Sequence, residues 1–197
     1  MRGEELEQIG AAIRLTEAGN GRDPRNPLKT AGISPYAASA LRLLMFTGCR
    51  VNEILTLRWE HLDRERGLLF LPDSKTGRKS IVLNGTALAE FERIARQQDN
   101  PFVICGIKAG AHLTDIDRPW RIICHQAGIQ GVRLHDLRHT FASVGAGASL
   151  GLPIVGKLLG HTQASTTARY AHLDADPLRR ASELIAGRIE ASLNREQ

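Results

Sequence analysis

The stretch from residue 134 to residue 170 constrains the fold more than any other part of the chain, because it holds three consecutive helix patterns. The first places apolar residues at helical spacing, which predicts that they face the core: Leu134, Leu137, Phe141 and Val144. The second runs from Pro153 to Leu159 and should end at Gly160, a typical left-handed helix stop. The third should begin at Thr162 and carry Tyr170 near its end.

The polar side chains of this stretch are of the types that bind and attack a phosphate group. His135 and Arg138 are three residues apart, so a helix would place them near each other. His161 follows the second helix, and Tyr170 lies nine residues later. Each has an ordinary explanation by itself: a solvated pair, a histidine at a helix end, a half-buried tyrosine. Their occurrence together and in this order favours a site.

Composition is that of an ordinary globular protein with an excess of positive charge. The chain has 197 residues, 42% hydrophobic content and a net charge of +5, which suits an anionic partner without establishing one. Cys49, Cys105 and Cys124 show no metal-ligand spacing, which indicates neither a disulfide framework nor a zinc site. No apolar run approaches the ~20 residues needed to cross a bilayer. We therefore expect a soluble, cytoplasmic protein without a membrane partner.

The remaining segments predict further helices, one loop and one hairpin. Helices are predicted over residues 4 to 17, 34 to 47, 50 to about 59, 85 to 98 and 114 to 127. Glycine and proline predict a loop from 18 to 33. Two apolar runs around Thr76-Gly77 predict a β-hairpin from Gly67 to Leu83, and Pro101 to Ile104 is expected to add a third strand. Ala95 and Cys124 are expected to face the core.

Two charged groups outside the 134 to 170 stretch are candidates for the same site. Arg50 and Glu53 are three apart on a helix, so the carboxylate would hold the guanidinium in one orientation. The alternative is a surface ion pair worth about 0.5 kcal/mol. Lys75 lies at the predicted hairpin turn, where a lysine is usually only solvated.

The motifs HDLRHTFAS, LGH and TTARYAH, with TGCRVNEILTLRW and KTG upstream, resemble the catalytic domain of the tyrosine recombinases, the phage integrase family. The resemblance implies an α+β fold, mainly α-helical with a small three-stranded antiparallel sheet. It also implies a set of catalytic residues: Arg50, Lys75, His135, Arg138, His161 and Tyr170. Glu53 would support them, Lys79 is the alternative to Lys75, and Arg78 and Lys79 are candidate DNA contacts.

The resemblance further implies a reaction on double-stranded DNA that needs neither cofactor nor metal. Tyr170 would attack the phosphate while His135 accepts its proton, and Lys75 would protonate the departing 5′-oxygen. Arg50, Arg138 and His161 would stabilise the charge of the transition state, and the product would be a 3′-phosphotyrosine bond. Site-specific recombination is the leading interpretation. The alternatives are relaxation of supercoils, as by type IB topoisomerases, and a non-catalytic DNA-binding module.

We expect residues 1 to 197 to form a single catalytic domain, of which 1 to 33 are an N-terminal helix and loop. The core-binding domain that precedes it in family members would be absent from this chain. Residues 176 to 197 predict a C-terminal helix with one apolar stripe: Leu178, Ala181, Ile185, Ile189 and Leu193. The stripe could cover the chain's own domain or a neighbouring subunit. The resemblance favours the neighbour within a homo-tetramer on DNA, with a monomer or weak dimer off DNA.

Overall fold

The computed structural model describes residues 1–23, 26–74, 77–148, 150–160 and 175–195. The helices in these ranges are α1 (Gly3–Glu17), α2 (Pro35–Thr47), α3 (Val51–Leu55), α4 (Gly85–Arg93), α5 (Asp117–Gln126), α6 (Leu134–Gly147), α7 (Leu152–Leu158) and α8 (Ala175–Leu193). The strands are β1 (Gly21–Asp23), β2 (Asn26–Ala31), β3 (Leu62–Asp63), β4 (Leu68–Ser74) and β5 (Gly77–Val82). The predicted α+β class, with mostly helices and a three-stranded antiparallel sheet, is confirmed.

Helix α2 forms the centre of the core, because nearly all of its side chains are buried. Its N-terminus follows the sequence signals: the Ser34 hydroxyl accepts a hydrogen bond from the Ala37 N–H at 3.1 Å, and Pro35 occupies the first turn. Its C-terminus is Gly48, whose φ of 63° lies in the left-handed region. A helix that is apolar on all sides must be surrounded by other elements. Helices α1, α4, α6 and α8 pack around it.

The three-stranded sheet has the order β3-β4-β5. The hairpin of β4 and β5 is confirmed, but the predicted third strand at Pro101 to Ile104 is wrong, since β3 takes that place. Residues 101 to 104 bond instead to the irregular segment at Leu57 to Trp59, which leads into a 3-10 turn and cannot continue a ladder. Phe102 forms only an isolated bridge with Arg58.

The predicted loop from 18 to 33 is wrong over most of its length. Strands β1 and β2 form an antiparallel two-stranded ribbon within it, with a register shift between Arg22 and Asp23. Proline removes a backbone donor and is tolerated in a strand only where one edge is unpaired. A two-stranded ribbon has such edges on both sides, so Pro27 fits within β2.

Three helix boundaries also differ from the prediction. Helix α3 ends at Leu55 rather than near residue 59, and a 3-10 turn occupies Trp59–His61. Helix α4 ends at Arg93 rather than near 98, and Ala95 is exposed. The hydroxyl of Tyr36 donates to the Ala95 carbonyl at 2.9 Å, so this carbonyl bonds to α2 instead of a following helical turn. Helix α5 begins at Asp117, and Cys124 is only partly buried.

The apolar stripe of the C-terminal helix packs on the chain's own domain. All five of its residues are buried against α1, α2, α4, α6 and α7: Leu178, Ala181, Ile185, Ile189 and Leu193. Asn84, at the N-cap of α4, ties α8 to the core by donating to the Ser182 hydroxyl at 3.0 Å. Arg14 of α1 donates to the Leu193 carbonyl at 2.8 Å. Among the described helices, none is both long and apolar enough to cross a membrane.

Substituting Gly10 tests the packing of α1 on α8. A Cβ at Gly10 would overlap the backbone carbonyl of Leu193, so the two helices would have to separate. We expect Gly10→Ala to lower the free energy of unfolding by about 2 kcal/mol, in the range of overpacked cores. Gly187 on α8 is the matched control, because a Cβ there meets nothing within 4 Å. Gly187→Ala should stabilise by ~0.5 to 1 kcal/mol through helix propensity. Urea denaturation that shows both variants shifting in the same direction would contradict this packing.

Candidate active site

Arg50 and Glu53 form the first part of the site at the start of α3. Arg50 is the N-cap residue, and the Glu53 carboxylate reaches back to accept its backbone N–H at 2.8 Å, as in half of a capping box. The other carboxylate oxygen accepts from the Arg50 guanidinium at 2.9 Å. The predicted pair is confirmed, and it is not a surface pair, because the Glu53 side chain is only 6% exposed.

Lys79 of β5 adds a second cation to the same carboxylate. Its Nζ lies 2.7 Å from Oε1 of Glu53, and its side chain is 8% exposed. The contact is a close ion pair, although it lacks the angles of a well-directed hydrogen bond. The hairpin is thereby attached to the segment that carries Arg50.

Arg138 on α6 joins this group from the other side. It is 7% exposed, and its two terminal nitrogens donate to the Gly48 carbonyl at 2.6 Å and the Leu159 carbonyl at 2.7 Å. Gly48 ends α2 two residues before Arg50, and Leu159 ends α7. A guanidinium has five N–H groups. Two of them make these hydrogen bonds, and the other three make none to the described part of the chain.

The group carries an excess of positive charge in a partly dry environment. Arg50, Lys79 and Arg138 contribute three positive charges and Glu53 one negative charge, which leaves +2. Burial raises the pKa of the Glu53 carboxyl, but Lys79 and Arg50 outweigh this effect and hold that pKa below its ordinary value. Burial and the nearby charge of Arg50 lower the pKa of the Arg138 guanidinium. Repulsion between two arginines held this way is relieved by a bound anion.

His135 and Arg78 lie on the surface. Although His135 and Arg138 share α6, Arg138 points into the protein, whereas His135 is exposed. The His135 ring makes an edge-on contact with His139, with 4.8 Å between ring centroids. Arg78 is exposed, next to the inward-facing Lys79. Of the predicted site residues, the structure therefore brings together Arg50, Glu53, Lys79 and Arg138, with His135 at the surface of the same helix as Arg138.

Three of the predicted catalytic residues lie outside the described residues: Lys75, His161 and Tyr170. The described residues reach Gly160, directly before His161, and the Gly160 φ of 70° confirms the predicted left-handed helix stop. On either side of Lys75, the described residues Ser74 and Gly77 are paired in the hairpin.

Sequence reasoning missed the role of Lys79 and the two carbonyls that hold Arg138. The strand alternation carried a signal for Lys79, because Lys79, Ile81 and Leu83 share one face of the strand and its extension. No local signal pointed to the carbonyl of Gly48, which is 90 residues from Arg138 in sequence.

Comparison with protein families and curated sequences gives consistent matches. The model of the phage integrase family matches residues 22–176. The tyrosine recombinase XerA of Saccharolobus solfataricus is 33% identical over 144 residues, covering 71% of this chain and 46% of that protein. The tyrosine recombinase XerC of Roseiflexus castenholzii is 34% identical over 174 residues, covering 78% of this chain and 55% of that protein. The chain thus spans about half the length of the curated relatives it matches.

Solved structures show the same fold at low sequence identity. The crystal structure of XerA recombinase superposes with a TM-score of 0.63 at 21% identity, covering 91% of this chain and 62% of that one. The integrase from mycobacterium phage Brujita has a TM-score of 0.66 at 16% identity, covering 93% of this chain and 62% of that one.

Replacing Glu53 by glutamine tests the charge arrangement through its pH dependence. The depressed pKa of Glu53 means that its stabilising effect is present above the unfolded pKa of about 4.3 and is lost as pH falls through the lower folded value. Glu53→Gln should therefore lower the free energy of unfolding by roughly 2 kcal/mol at pH 7. The difference from the unsubstituted protein should shrink steadily below about pH 4. Urea titrations at several pH values measure it, and a difference that stays constant down to pH 3 would show that the pKa of Glu53 is not lowered in the folded protein.

Proposed function

This chain belongs to the phage integrase family, and we propose that it is a site-specific DNA recombinase that cleaves and rejoins duplex DNA through a 3′-phosphotyrosine intermediate. The observation that carries the proposal is the convergence of Arg50 and Arg138 beside one buried carboxylate. The two motifs lie almost ninety residues apart in sequence, and both are tied to the segment Gly48 to Glu53.

The paired arginines suit the main task of the reaction. Attack on a phosphodiester adds negative charge to its non-bridging oxygens, and preorganised donors that meet this charge lower the barrier. Arginine supplies permanently charged donors with a geometry that matches two phosphate oxygens. Because Glu53 and the carbonyls of Gly48 and Leu159 already fix the two guanidinium groups, little reorganisation is needed when the phosphate arrives.

The remaining roles are assigned by the family motifs. Tyr170 would form the bond to the 3′-phosphate and displace the 5′-oxygen of the DNA, with the Tyr170 proton passing to His135 and a proton from Lys75 passing to the leaving oxygen. His161 would donate a hydrogen bond to a non-bridging oxygen. The exposure of His135 supports its part, since a proton acceptor for a nucleophile from another segment must be reachable. Rejoining reverses these steps with a new 5′-hydroxyl.

Relatives favour recombination over the alternatives. The shufflon-specific DNA recombinase of Escherichia coli is 31% identical over 157 residues, which cover 73% of this chain and 38% of that protein. The structure of XerH, described as bound to its difH substrate before cleavage, has a TM-score of 0.64 at 21% identity over 88% of this chain and 50% of that one. A module that only binds DNA has no need for arginines fixed around a buried carboxylate.

The proposed partner is double-stranded DNA, and the proposed active assembly is a homo-tetramer on DNA. We propose residues 1 to 197 as a single catalytic domain, which is supported by the packing of α1 against α8 at its two ends. Off DNA, the stripe of α8 is already covered in cis, which supports a monomer or weak dimer. Docking of α8 on a neighbouring subunit would first require its release from the core.

A covalent adduct at Tyr170 tests the proposal. The protein is incubated with a pool of nicked duplexes of randomised sequence, in which the fragment released by cleavage diffuses away and leaves the intermediate trapped. We expect a protein-DNA adduct that peptide mass analysis maps to Tyr170, and no adduct with Tyr170→Phe. The adduct should form equally in EDTA, because the proposed charge stabilisation comes from arginines and not from a metal ion.

An adduct that persists in Tyr170→Phe would remove the assignment of the nucleophile. Cleavage that stops in EDTA and returns with Mg²⁺ would contradict the arginine-based account. Arg133→Lys is a suitable control, since Arg133 lies at the exposed N-terminus of α6 with its side chain 79% exposed.

A further inference from the structure

Lys79 occupies a position that the proposed mechanism does not use. A lysine next to a hairpin turn is ordinarily solvated, and Arg78 beside it is exposed. Lys79 instead turns inward with Ile81, on the strand face that packs on the core, and its side chain is 8% exposed. Burying an ammonium group is costly unless a carboxylate pairs with it. The 2.7 Å contact with Glu53 is that pairing.

The stem of Lys79 lies against the backbone of Gly160. A Cβ at Gly160 would be 3.0 Å from Cδ and 3.2 Å from Nζ of Lys79, closer than neighbouring atoms normally approach. Gly160 therefore serves two purposes: it adopts a φ of 70°, and it leaves room for the lysine. Lys79 touches Glu53 on one side and the residue that immediately precedes His161 on the other.

We propose that Lys79 is a positioning residue: its ammonium supplies the second counter-charge of Glu53, and its stem holds the hairpin against Gly160, so that Arg50 meets the DNA phosphate with its charge and orientation intact. The inference rests on the proposed function, because the phosphate is the one that Arg50 and Arg138 would bind. It assigns Lys79 to the interior of the site and not to the DNA surface.

The positive charge of Lys79 changes the net charge that the site presents to the phosphate. Glu53 would otherwise be neutralised by Arg50 alone, and the net charge of the group would fall from +2 to +1. The stabilisation of the extra negative charge that develops on the phosphate in the transition state would weaken accordingly, since Coulomb interactions are stronger in a partly dry site than in water. Lys79 neutralises the charge of the Glu53 carboxylate, so that the positive charge of Arg50 remains for the phosphate.

The salt dependence of DNA binding distinguishes a basic residue that contacts DNA from one that acts inside the protein. A residue that contacts a DNA phosphate adds about 0.9 to the slope of log K against log salt concentration. An internal positioning residue leaves that slope unchanged but alters the rate of the chemical step. Arg78 and Lys79 are neighbours on one strand and carry equal charge, so they form a matched pair for this comparison.

The experiment measures adduct formation at saturating DNA, the dissociation constant for DNA and its salt slope. For Lys79→Met we expect the rate of adduct formation to fall roughly 10- to 100-fold, less than for loss of a group that touches the transition state. Its salt slope should not change, and the dissociation constant should change by less than about twofold. Arg78→Met should weaken DNA binding and lower the slope by about 0.9. Lys108→Met, in an exposed loop, controls for the loss of one charge.

Rates equal to those of the unsubstituted protein, or a salt slope that falls as for Arg78→Met, would overturn the proposal. Melting curves check that each variant is folded. If Lys79→Met is unfolded, Lys79→Gln replaces it, because glutamine removes the charge and keeps a polar N–H donor.

A second measurement does not depend on cleavage. The side-chain ¹⁵N–¹H resonance of Arg50 should be sharp in the unsubstituted protein and broadened in Lys79→Met, while Lys108→Met leaves it sharp. If this pattern is observed but no adduct forms, the proposed function is contradicted, whereas the positioning role of Lys79 is retained. If Lys79→Met leaves the Arg50 resonance sharp, the positioning role of Lys79 is contradicted even if the adduct forms.

Discussion

The interaction on which the site depends is the burial of one carboxylate, that of Glu53. An isolated buried carboxylate is strongly unfavourable, so its position is tolerated only where cations and N–H groups surround it. One of its oxygens accepts the backbone N–H of Arg50, and the other accepts the Arg50 guanidinium and forms a close ion pair with the Lys79 ammonium. The requirement to neutralise Glu53 thus fixes the start of α3, the orientation of Arg50 and the placement of the hairpin at once.

The helix ends then place the second arginine. Two helices stop beside each other, α2 at Gly48 and α7 at Leu159, and each leaves a backbone carbonyl without a partner in its own helix. Arg138 donates to both of these carbonyls. The same side chain therefore completes two helix ends and holds its positive charge near that of Arg50. Structural and chemical roles coincide in this residue, so substitutions of Arg138 affect both stability and activity.

The sequence predicted the features that depend on local signals. Ser34 and Gly48 mark the ends of α2, Gly160 marks a helix stop, and the spacing of Arg50 and Glu53 gives their pair, because caps and helical neighbours act over a few residues. The ribbon of β1 and β2 was missed because its composition is that of a loop.

Features that depend on distant partners were harder to foresee. The third strand was misplaced because the apolar segment 101 to 104 bonds to Leu57 to Trp59, whereas the short segment 62 to 63 pairs with β4 at the edge of the sheet. Lys79 was predicted as a DNA contact or as the alternative to Lys75, although strand alternation placed it on the inner face with Ile81. Its partner Glu53 lies on another element, and such pairs leave no mark in a single sequence.

The central claim is that Arg50 acts by offsetting the negative charge of the DNA phosphate. The most direct measurement compares adduct formation by Arg50→Ala on a normal phosphodiester and on a neutral methylphosphonate at the same position of a nicked duplex. If the claim is right, the variant loses roughly 100- to 1,000-fold in rate on the phosphodiester and recovers most of it on the methylphosphonate, where there is no charge to offset. Equal losses on both substrates would contradict the claim and make Arg50 a structural residue.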